Sequence, residues 1–431
     1  MPNRRVAVVG AGLAGCEAAC RLAAYGIGVD LYDMKPAKKS PAHRSDDFCE
    51  LVCSNSLRSD RLENAVGLLK AEMRALGSVV MRAADESRVP AGGALAVDRE
   101  GFARRVTAAV RAEAHIRVHE REVTELPEPP CIIATGPLTS DALSESIGGL
   151  VGGQLHFYDA AAPIVSYDSL DHSRIFRASR YGRGEDYLNC PMTREEYFAF
   201  YHALIEAKTV PLHDFETPRV FEGCMPVEAM AKRGEMTLCY GPLKPVGLEC
   251  EGRRPFAVVQ LRQDDAEGTL YNLVGFQTNL SFPEQRRVFG MIPGLAGAEF
   301  VRYGVMHRNT FLPSPGLLRF DYQMTSRPGT FFAGQITGVE GYVESASSGL
   351  LAAVEMRRFL EGLEPLDFTR RTAIGALGHY VAEYAGSDFQ PMNVTFGIME
   401  PLGERIRNKQ ERCQKLADRA LAIVKELKTY C

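Results

Sequence analysis

Three glycines near the N-terminus have the spacing that brings a phosphate group to the start of a helix. Gly10, Gly12 and Gly15 follow the apolar run VAVV at residues 6–9. In such a turn the glycines allow a tight strand-to-helix connection, a close backbone approach to a pyrophosphate and close packing of helix on strand. The free N–H groups and the positive end of the helix dipole then stabilise the negative charge. The sequence therefore predicts that residues 10–15 bind a dinucleotide.

An acidic residue completes this motif. Residues 29–33 predict a second strand that ends at Asp33, 18 residues beyond Gly15. Folds of this kind place there a carboxylate that binds the ribose hydroxyls of the cofactor. FAD, NAD and S-adenosylmethionine all remain compatible with the motif at this point.

Two further segments must position the rest of the cofactor. The run CIIATG at 131–136 predicts a short buried strand ending in Thr135 and Gly136, and FFAGQITGVEGYVESASS at 331–348 predicts a strand, a glycine-rich turn and a helix. Together they indicate a cofactor long enough to contact both halves of a discontinuous domain, which favours FAD over S-adenosylmethionine. An amphipathic helix is predicted at 102–114. We expect an α/β fold in which a Rossmann-like FAD-binding domain, residues 1–150 and 326–431, contains an inserted α+β domain at 151–325.

Composition limits the remaining possibilities. The 431 residues carry a net charge of −4, and eleven cysteines without a small secreted framework favour reduced thiols. Without a signal peptide or a membrane-length apolar run, we expect a cytoplasmic protein without a membrane partner. The absence of CxxC and HExxH patterns predicts no metal site. Residues 404–430 are compatible with a helix and contain eight Lys or Arg against four acidic residues.

Several longer motifs carry a more specific resemblance. They are DFCELVCSNSLRS at 47–59, YLNCPMTREEY at 187–197, FEGCMPVE at 221–228, GFQTNLSFPEQRRVF at 275–289, RYGVMHRNTF at 302–311, GQITGVEGYVESASSGLLAA at 334–353 and FQPMNVTFGI at 389–398. These segments resemble TrmFO, the family of folate- and FAD-dependent tRNA (uracil-5-)-methyltransferases, and the likeness covers nearly the whole chain. The chain is also similar to the larger GidA flavoproteins that modify the wobble uridine of tRNA. Pro313 and Glu400 depart from the family pattern.

The resemblance implies a reaction. The family forms 5-methyluridine at position 54 of the tRNA T loop, with a carbon from methylenetetrahydrofolate that reduced flavin accepts and reduces, and with NADH or NADPH as the final reductant. The implied partner is the T arm of tRNA, with no obligate protein partner. Two other functions remain open at this point, namely flavin-dependent modification of the wobble uridine, as in GidA, and a non-catalytic role as an RNA-binding flavoprotein.

The resemblance also implies roles for individual residues. Uracil C5 becomes nucleophilic only after a group adds to C6, and a thiolate suits that addition. Cys224 corresponds to the nucleophile and Cys53 to the general base or relay, although the two could exchange roles. His307 corresponds to a histidine that stacks on the pterin. The full set of predicted cofactor contacts is Gly10, Ala11, Gly12, Leu13, Ala14, Gly15, Asp33, Asn55, Arg99, Thr135, Gly136, Gly334, Gln335, Gly338, Gly341, Tyr342, Glu344 and Ser345. The predicted tRNA contacts are Arg405, Arg407, Lys409, Arg412 and Lys415.

Overall fold

The computed structural model describes residues 5–40, 42–153, 155–211, 225–386 and 389–431. The strands are β1 (Val6–Val9), β2 (Val29–Asp33), β3 (Ser56–Ser59), β4 (Arg88–Val89), β5 (Ala94–Val97), β6 (Ile116–Glu120), β7 (Cys131–Ile133), β8 (Leu155–Ala160), β9 (Ile164–Ser166), β10 (Phe176–Arg177), β11 (Tyr187–Met192), β12 (Ala257–Gln263), β13 (Leu270–Leu273), β14 (Phe300–Arg302), β15 (Met306–Phe311) and β16 (Thr330–Phe332). The α-helices are α1 (Leu13–Ala24), α2 (Ala65–Ala75), α3 (Val79–Glu86), α4 (Arg99–Ala112), α5 (Asp141–Val151), α6 (Arg194–Ile205), α7 (Val227–Ala231), α8 (Thr237–Tyr240), α9 (Phe282–Phe289), α10 (Tyr342–Glu361), α11 (Ala373–Glu383) and α12 (Lys409–Leu427).

A parallel sheet carries the glycine-rich motif. Its strand order is β16-β7-β1-β2-β6, and every neighbouring pair is parallel. Helix α1 leaves the end of β1 and packs against α10, where a Cβ on Gly349 would lie 2.1 Å from the carbonyl oxygen of Ala14. The carboxyl ends of β1, β7 and β16 therefore meet at one edge of the sheet, where α/β proteins bind dinucleotides. This architecture confirms the predicted α/β class.

A second sheet has two chemically different faces. It is antiparallel, with the order β10-β11-β12-β13-β9-β14. Val259 and Leu261 pack in an apolar core with Tyr197 and other residues of α6. Because side chains alternate along a strand, Gln260 and Arg262 lie on the opposite face, where both are buried.

The chain passes between the two sheets through an antiparallel ribbon. Strand β8 leads towards the six-stranded sheet and β15 leads back, and the two pair along their whole lengths. One apolar core contains residues between 6 and 147 and between 312 and 424, and another contains residues between 162 and 295. The domain boundaries at residues 150 and 325 stay predictions. No helix within the described ranges combines the length and apolar character needed to cross a bilayer.

Two helix boundaries differ from the sequence predictions, and a capping side chain explains each. Helix α4 begins at Arg99 rather than at residue 102, because the Asp98 carboxylate accepts the N–H of Gly101. Helix α12 begins at Lys409 rather than at residue 404, because the Asn408 side chain accepts the N–H groups of Gln410 and Glu411. Arg405 and Arg407 therefore precede the last helix instead of lying on it.

Candidate functional site

The glycine-rich turn forms the floor of a first cleft. Gly10 has a φ of +100°, and a Cβ there would lie 2.5 Å from the carbonyl oxygen of Ala134. A Cβ on Gly15 would lie 1.7 Å from the carbonyl oxygen of Gly10, so this position accepts only glycine without a backbone shift. Gly12, in contrast, has open space around the position of a Cβ. The space above Gly12 is therefore available to a ligand at the start of α1.

Asp33 lies at the end of β2 beside this turn. Its carboxylate accepts the N–H of Ala11 at 2.8 Å and the N–H of Lys35 at 2.9 Å. It also lines the first cleft, together with Lys35 and His43, which the sequence analysis did not select. Burial lowers the pKa of His43, and its Nδ1 lies 2.6 Å from the hydroxyl of Ser40. An acid near the turn and an open helix start together suit a ribose and a pyrophosphate.

The first cleft has the lining expected for FAD. It extends from the glycine-rich turn to the start of α10. The predicted cofactor residues that line it are Gly10, Ala11, Gly12, Leu13, Ala14, Asp33, Thr135, Gly136, Gly334, Gln335, Tyr342 and Ser345. The residues present therefore fit a long dinucleotide that contacts the ends of β1, β2, β7 and β16.

A second cleft of about 1300 Å³ adjoins the first. The two clefts share Val52, Pro137, Leu138, Gln335 and Tyr342 as lining residues. Cys53 lines only the second cleft, and its thiol lies 3.5 Å from the carbonyl oxygen of Ala160. The second cleft is therefore the place where a substrate could meet both the cysteine and the inner end of the cofactor.

Tyr342 connects the two clefts through its hydroxyl oxygen. This oxygen accepts the N–H of Cys53 at 2.8 Å and the N–H of Ser54 at 3.2 Å. Burial and the neighbouring Cys53 raise the pKa of Tyr342, which keeps the phenol neutral. The first residue of α10 thus fixes the backbone of residues 51–54, which we call the cysteine loop.

Buried arginines hold the same loop from the other side. Arg99 Nη1 donates to the carbonyl oxygen of Leu51, and Arg302 Nη2 donates to that of Val52 at 2.8 Å. Asp264 binds Arg99 with both carboxylate oxygens, at 2.9 and 3.0 Å. Burial by itself would lower the pKa of Arg99, but the charge of Asp264 outweighs it and raises that pKa. No carboxylate within the described ranges pairs with Arg302, and burial lowers its pKa.

Several predicted cofactor residues lie elsewhere. Asn55 is fully buried outside both clefts, where its amide donates to the carbonyl oxygens of Val97 and Gln263. Arg99 and Gly15 also line neither cleft, and Gly341 lines only the second. Asn55 and Arg99 support the clefts from behind, because the fold already uses their polar groups.

Two more of these residues lie around the start of α10, Gly338 in the preceding turn and Glu344 in the first turn of the helix. A Cβ on Gly338 would lie 2.5 Å from the Phe389 ring, so this glycine packs against an aromatic side chain outside both clefts. Glu344 is fully buried, and its Oε1 accepts the N–H of Val394 at 3.0 Å and a hydrogen bond from Arg58 Nη2. Arg58 itself lines the second cleft. Glu344 thus orients a cleft residue and makes no cleft contact of its own.

Cys224 and His307 are the other two residues proposed for the chemistry. Cys224 lies outside the described residues. The chain that follows it returns to the second cleft, since the N–H of Val227 donates to the carbonyl oxygen of Gln277, a lining residue, at 2.7 Å. His307 lies in β15, two residues before Asn309, which lines the second cleft.

The predicted tRNA contacts lie on the exposed surface around the start of α12. All five are exposed: Arg405, Arg407, Lys409, Arg412 and Lys415. Lys415 pairs with Glu404 at 2.9 Å and with Glu411 at 3.6 Å. These acidic side chains weaken the attraction of Lys415 for an anionic ligand. Gln410, the second residue of α12, donates its side-chain amide to Glu63, which follows β3, the strand that includes Arg58.

Several polar residues that line the second cleft were not predicted from the sequence. Ser54, Arg58, Arg262 and Asn272 come from three separate segments of the chain. The alternation of polar and apolar residues in β12 was the available signal. It indicated that one face of the strand is polar, but not what this face contacts.

Comparison with known proteins gives consistent results along the whole chain. The family model described as "Glucose inhibited division protein A" matches residues 5–364. A protein of Bacillus licheniformis named methylenetetrahydrofolate–tRNA-(uracil-5-)-methyltransferase TrmFO is 58% identical over 429 residues, which cover 99% of each chain. Proteins of the same name from Listeria monocytogenes serotype 4b and Acetivibrio thermocellus are 57% and 58% identical and cover 99% and 97% of this chain.

A solved structure supports the fold independently. GidA of Aquifex aeolicus superimposes with a TM-score of 0.72 at 15% sequence identity, covering 98% of this chain and 73% of that chain. Such a likeness at low identity concerns the fold alone. It confirms the predicted GidA-type architecture.

Proposed function

The chain belongs to the TrmFO family of methylenetetrahydrofolate–tRNA-(uracil-5-)-methyltransferases, and on this premise we propose that it forms 5-methyluridine at position 54 of the tRNA T loop. It is an FAD- and methylenetetrahydrofolate-dependent tRNA (uracil-5-)-methyltransferase. One observation supports this proposed reaction. The cysteine loop lies at the wall between a dinucleotide-shaped cleft and a second, adjoining cleft. We further propose NADH or NADPH as the reductant and the cytoplasm as the site of action.

The first cleft would hold FAD through contacts that the geometry supports. The backbone of residues 10–14 would bind the pyrophosphate at the start of α1, and Asp33 would bind a ribose. Thr135 and Gln335 would contact the middle of the cofactor, and Tyr342 would adjoin its inner end. Bound FAD supplies the reducing equivalents that convert a folate-derived methylene group into a methyl group.

The second cleft would hold the uracil and the pterin. A cysteine thiolate adds to C6 of uracil, which makes C5 nucleophilic towards the one-carbon group. Cys224 is the proposed nucleophile, and Cys53 is the proposed base that removes the proton from C5. His307 is proposed to stack on the pterin. Tyr342 fixes the Cys53 backbone through two hydrogen bonds, so the base does not need to be ordered when the substrate binds.

The exposed basic residues before and within α12 are proposed to bind the tRNA phosphates. Phosphate contacts of this kind supply affinity and make binding dependent on salt. Arg405, Arg407, Lys409 and Arg412 would carry most of this contribution, because Lys415 is already paired with acidic side chains.

One assay tests the proposed reaction. Unmodified tRNA transcript and NADPH or NADH are supplied with labelled methylenetetrahydrofolate or with labelled S-adenosylmethionine, and the product nucleoside is identified and located. We expect label in 5-methyluridine of the T loop from the folate alone. Label from S-adenosylmethionine would contradict the flavin mechanism, and a modified wobble base with an untouched T loop would contradict the proposed target.

Matched variants test the two cysteines. We expect Cys224→Ala and Cys53→Ala to lose methylation by at least about 10³-fold while FAD stays bound, because each removes a reacting group. Cys250→Ala is the control, since Cys250 is a half-buried thiol that lines neither cleft. Full activity of Cys224→Ala or Cys53→Ala would refute the role of that cysteine.

A further inference from the structure

An arginine and an asparagine face each other across two strands in the second cleft. Arg262 on β12 and Asn272 on β13 are directly opposite in the antiparallel register, and both line the cleft that contains Cys53. Arg262 is 7% exposed and Asn272 is 2% exposed. Two buried hydrogen-bond donors therefore lie side by side at a place where the mechanism above has not used them.

Arg262 carries a positive charge that the fold does not neutralise. Its Nε donates to the Asn55 amide oxygen at 2.9 Å, and its Nη2 donates to the Ser54 hydroxyl at 2.7 Å. All these acceptors are neutral, and no carboxylate among the described residues forms an ion pair with it. Burial lowers the pKa of Arg262. A buried cation without a counter-ion is costly unless a bound group supplies the negative charge.

Asn272 also has an unused donor. Its Oδ1 accepts a hydrogen bond from Arg262 Nη2 at 3.4 Å, whereas its buried Nδ2 has no hydrogen-bond partner among the described residues. An unsatisfied buried amide N–H₂ is destabilising, and it indicates a partner that arrives with the ligand. The nearby Arg262 Nη1 likewise donates to no acceptor within the part of the chain that the structure describes.

We propose that Arg262 and Asn272 form an oxyanion site that stabilises the enolate of uracil during methylation. This proposal rests on the proposed function, in which a thiolate adds to C6. The new sulfur–carbon bond pushes the C5–C6 electron pair towards the C4 carbonyl, so negative charge develops on O4 and C5 becomes nucleophilic. Formation of the bond between C5 and the one-carbon group removes the charge from O4, and loss of the C5 proton to Cys53 restores it. Expulsion of the thiolate from C6 then re-forms the C5–C6 double bond and removes the charge again.

The donor pattern fits an enolate oxygen better than it fits a pterin. The amidine edge of a pterin presents N–H donors, which Arg262 and the Asn272 amide nitrogen cannot bind, whereas both can donate to a uracil oxygen that gains negative charge. Preorganised donors aimed at a developing oxyanion in a dry site act mainly on the transition state. Asn55, which we predicted as a cofactor contact, is on this view a positioning residue that holds Arg262 Nε.

Two variants and one control test the proposal in the FAD-loaded enzyme. Arg262→Gln removes the charge, and Asn272→Asp replaces the unused donor with an acceptor of the same shape. We expect each to lower the saturated single-turnover rate of 5-methyluridine formation about 10²–10³-fold. We expect KM for the RNA and the folate, and the FAD content, to change less than about threefold, since the site acts on the transition state. Arg180→Gln is the matched control, because Arg180 Nε also bonds a side-chain amide but Arg180 lines neither cleft.

Other outcomes would overturn the proposal in distinguishable ways. A rise in the folate KM with an unchanged saturated rate would assign the donors to the pterin. A parallel loss of Cys53 alkylation by iodoacetamide, mapped by mass spectrometry, would show that Arg262 only positions the cysteine loop. If Arg262→Gln does not fold, an Asn272→Asp enzyme within fivefold of the wild-type rate still refutes the site.

A failure of the proposed function is distinguishable, because the wild-type enzyme would then make no 5-methyluridine from the folate. The same variants are then compared by release of tritium from C5 of uracil in RNA, because every reaction that begins with addition at C6 labilises that position. Equal release from wild type and both variants would overturn the oxyanion site under this condition too.

Discussion

The two clefts share a wall at Tyr342, but backbone atoms shape the first cleft and side chains shape the second. The first is shaped by backbone at the ends of parallel strands, with glycines where a side chain would collide with the neighbouring chain. The second is lined by polar side chains from the cysteine loop, β12 and β13, which lie far apart in sequence. The comparison teaches that a cofactor can be recognised by a short contiguous motif, whereas a substrate site needs long-range packing to exist. The experiments that test this comparison alter one cleft or the residues that support it.

The largest effect is expected where backbone approaches backbone. Gly15→Ala forces a Cβ against the Gly10 carbonyl oxygen, so we expect a loss of unfolding free energy of about 3 kcal/mol or more and at least tenfold weaker FAD binding. Gly12→Ala has open space around its Cβ, so the apoprotein should keep its melting temperature while FAD binding weakens. Thermal unfolding and flavin titration measure both variants. An equal loss of apoprotein stability in the two would contradict the backbone-shaped cleft.

The next effect concerns the buried ion pair behind the second cleft. Arg99→Gln leaves the Asp264 carboxylate buried without a partner, which should cost about 3–5 kcal/mol of unfolding free energy in urea denaturation. The surface pair between Arg104 and Glu100 provides the comparison, since Arg104→Gln should cost less than about 0.5 kcal/mol. If the two substitutions cost the same, the pair does not anchor the cysteine loop.

A smaller effect is expected at the shared wall. Tyr342→Phe removes the acceptor for the N–H groups of Cys53 and Ser54 but keeps the ring, so FAD should stay bound while methylation slows about 10- to 100-fold. Tyr380→Phe is the control, because its hydroxyl bonds the carbonyl oxygen of Gln390 away from both clefts. Single-turnover methylation and flavin absorbance measure the result, and a flavin loss equal to the rate loss would place the effect in the first cleft instead.

A modest effect is expected at the acid of the first cleft. Asp33→Asn keeps the shape of the side chain but removes the charge that accepts two N–H groups, so FAD should bind about tenfold more weakly. Asp30→Asn, on the same strand but paired with Arg5 outside the clefts, should leave the dissociation constant of FAD unchanged. Flavin titration would decide between a ribose contact and a purely structural acid.

A pH-dependent effect is expected at a buried lysine behind Arg58. Lys70 donates to the carbonyl oxygens of Arg58 and Ser59, and burial lowers its pKa from 10.5 to about 7. Below pH 7 the folded state must bury the charge, whereas above 10.5 neither state carries it. The stability of the wild type relative to Lys70→Met should therefore improve as the pH rises from 7 to 10.5. Urea unfolding at several pH values measures this difference, and a difference that is constant with pH would contradict the shifted lysine.

The sequence predicted the first cleft well because its determinants are local. The strands at 29–33 and 131–133 and the glycine turns lie where the motifs place them, since glycine spacing and apolar runs act through neighbouring residues. Asn55 and Arg99 were placed at the cofactor, but the fold uses their polar groups to join distant segments. The pairing of Arg262 with Asn272 depends on the register of two strands, which no local pattern specifies. The roles of Cys224 and His307 stay predictions.

The ribbon of β8 and β15 brings the two crossings of the chain side by side. The segment between β8 and β15 connects these two strands as the turn of a hairpin does, whatever the length of the segment. The entropy of closing such a loop rises only with the logarithm of its length, so the flavin-binding end tolerates large changes in what it carries. A single dinucleotide-binding scaffold can thus be fitted during evolution with different inserted domains, each joined through the same pair of strands.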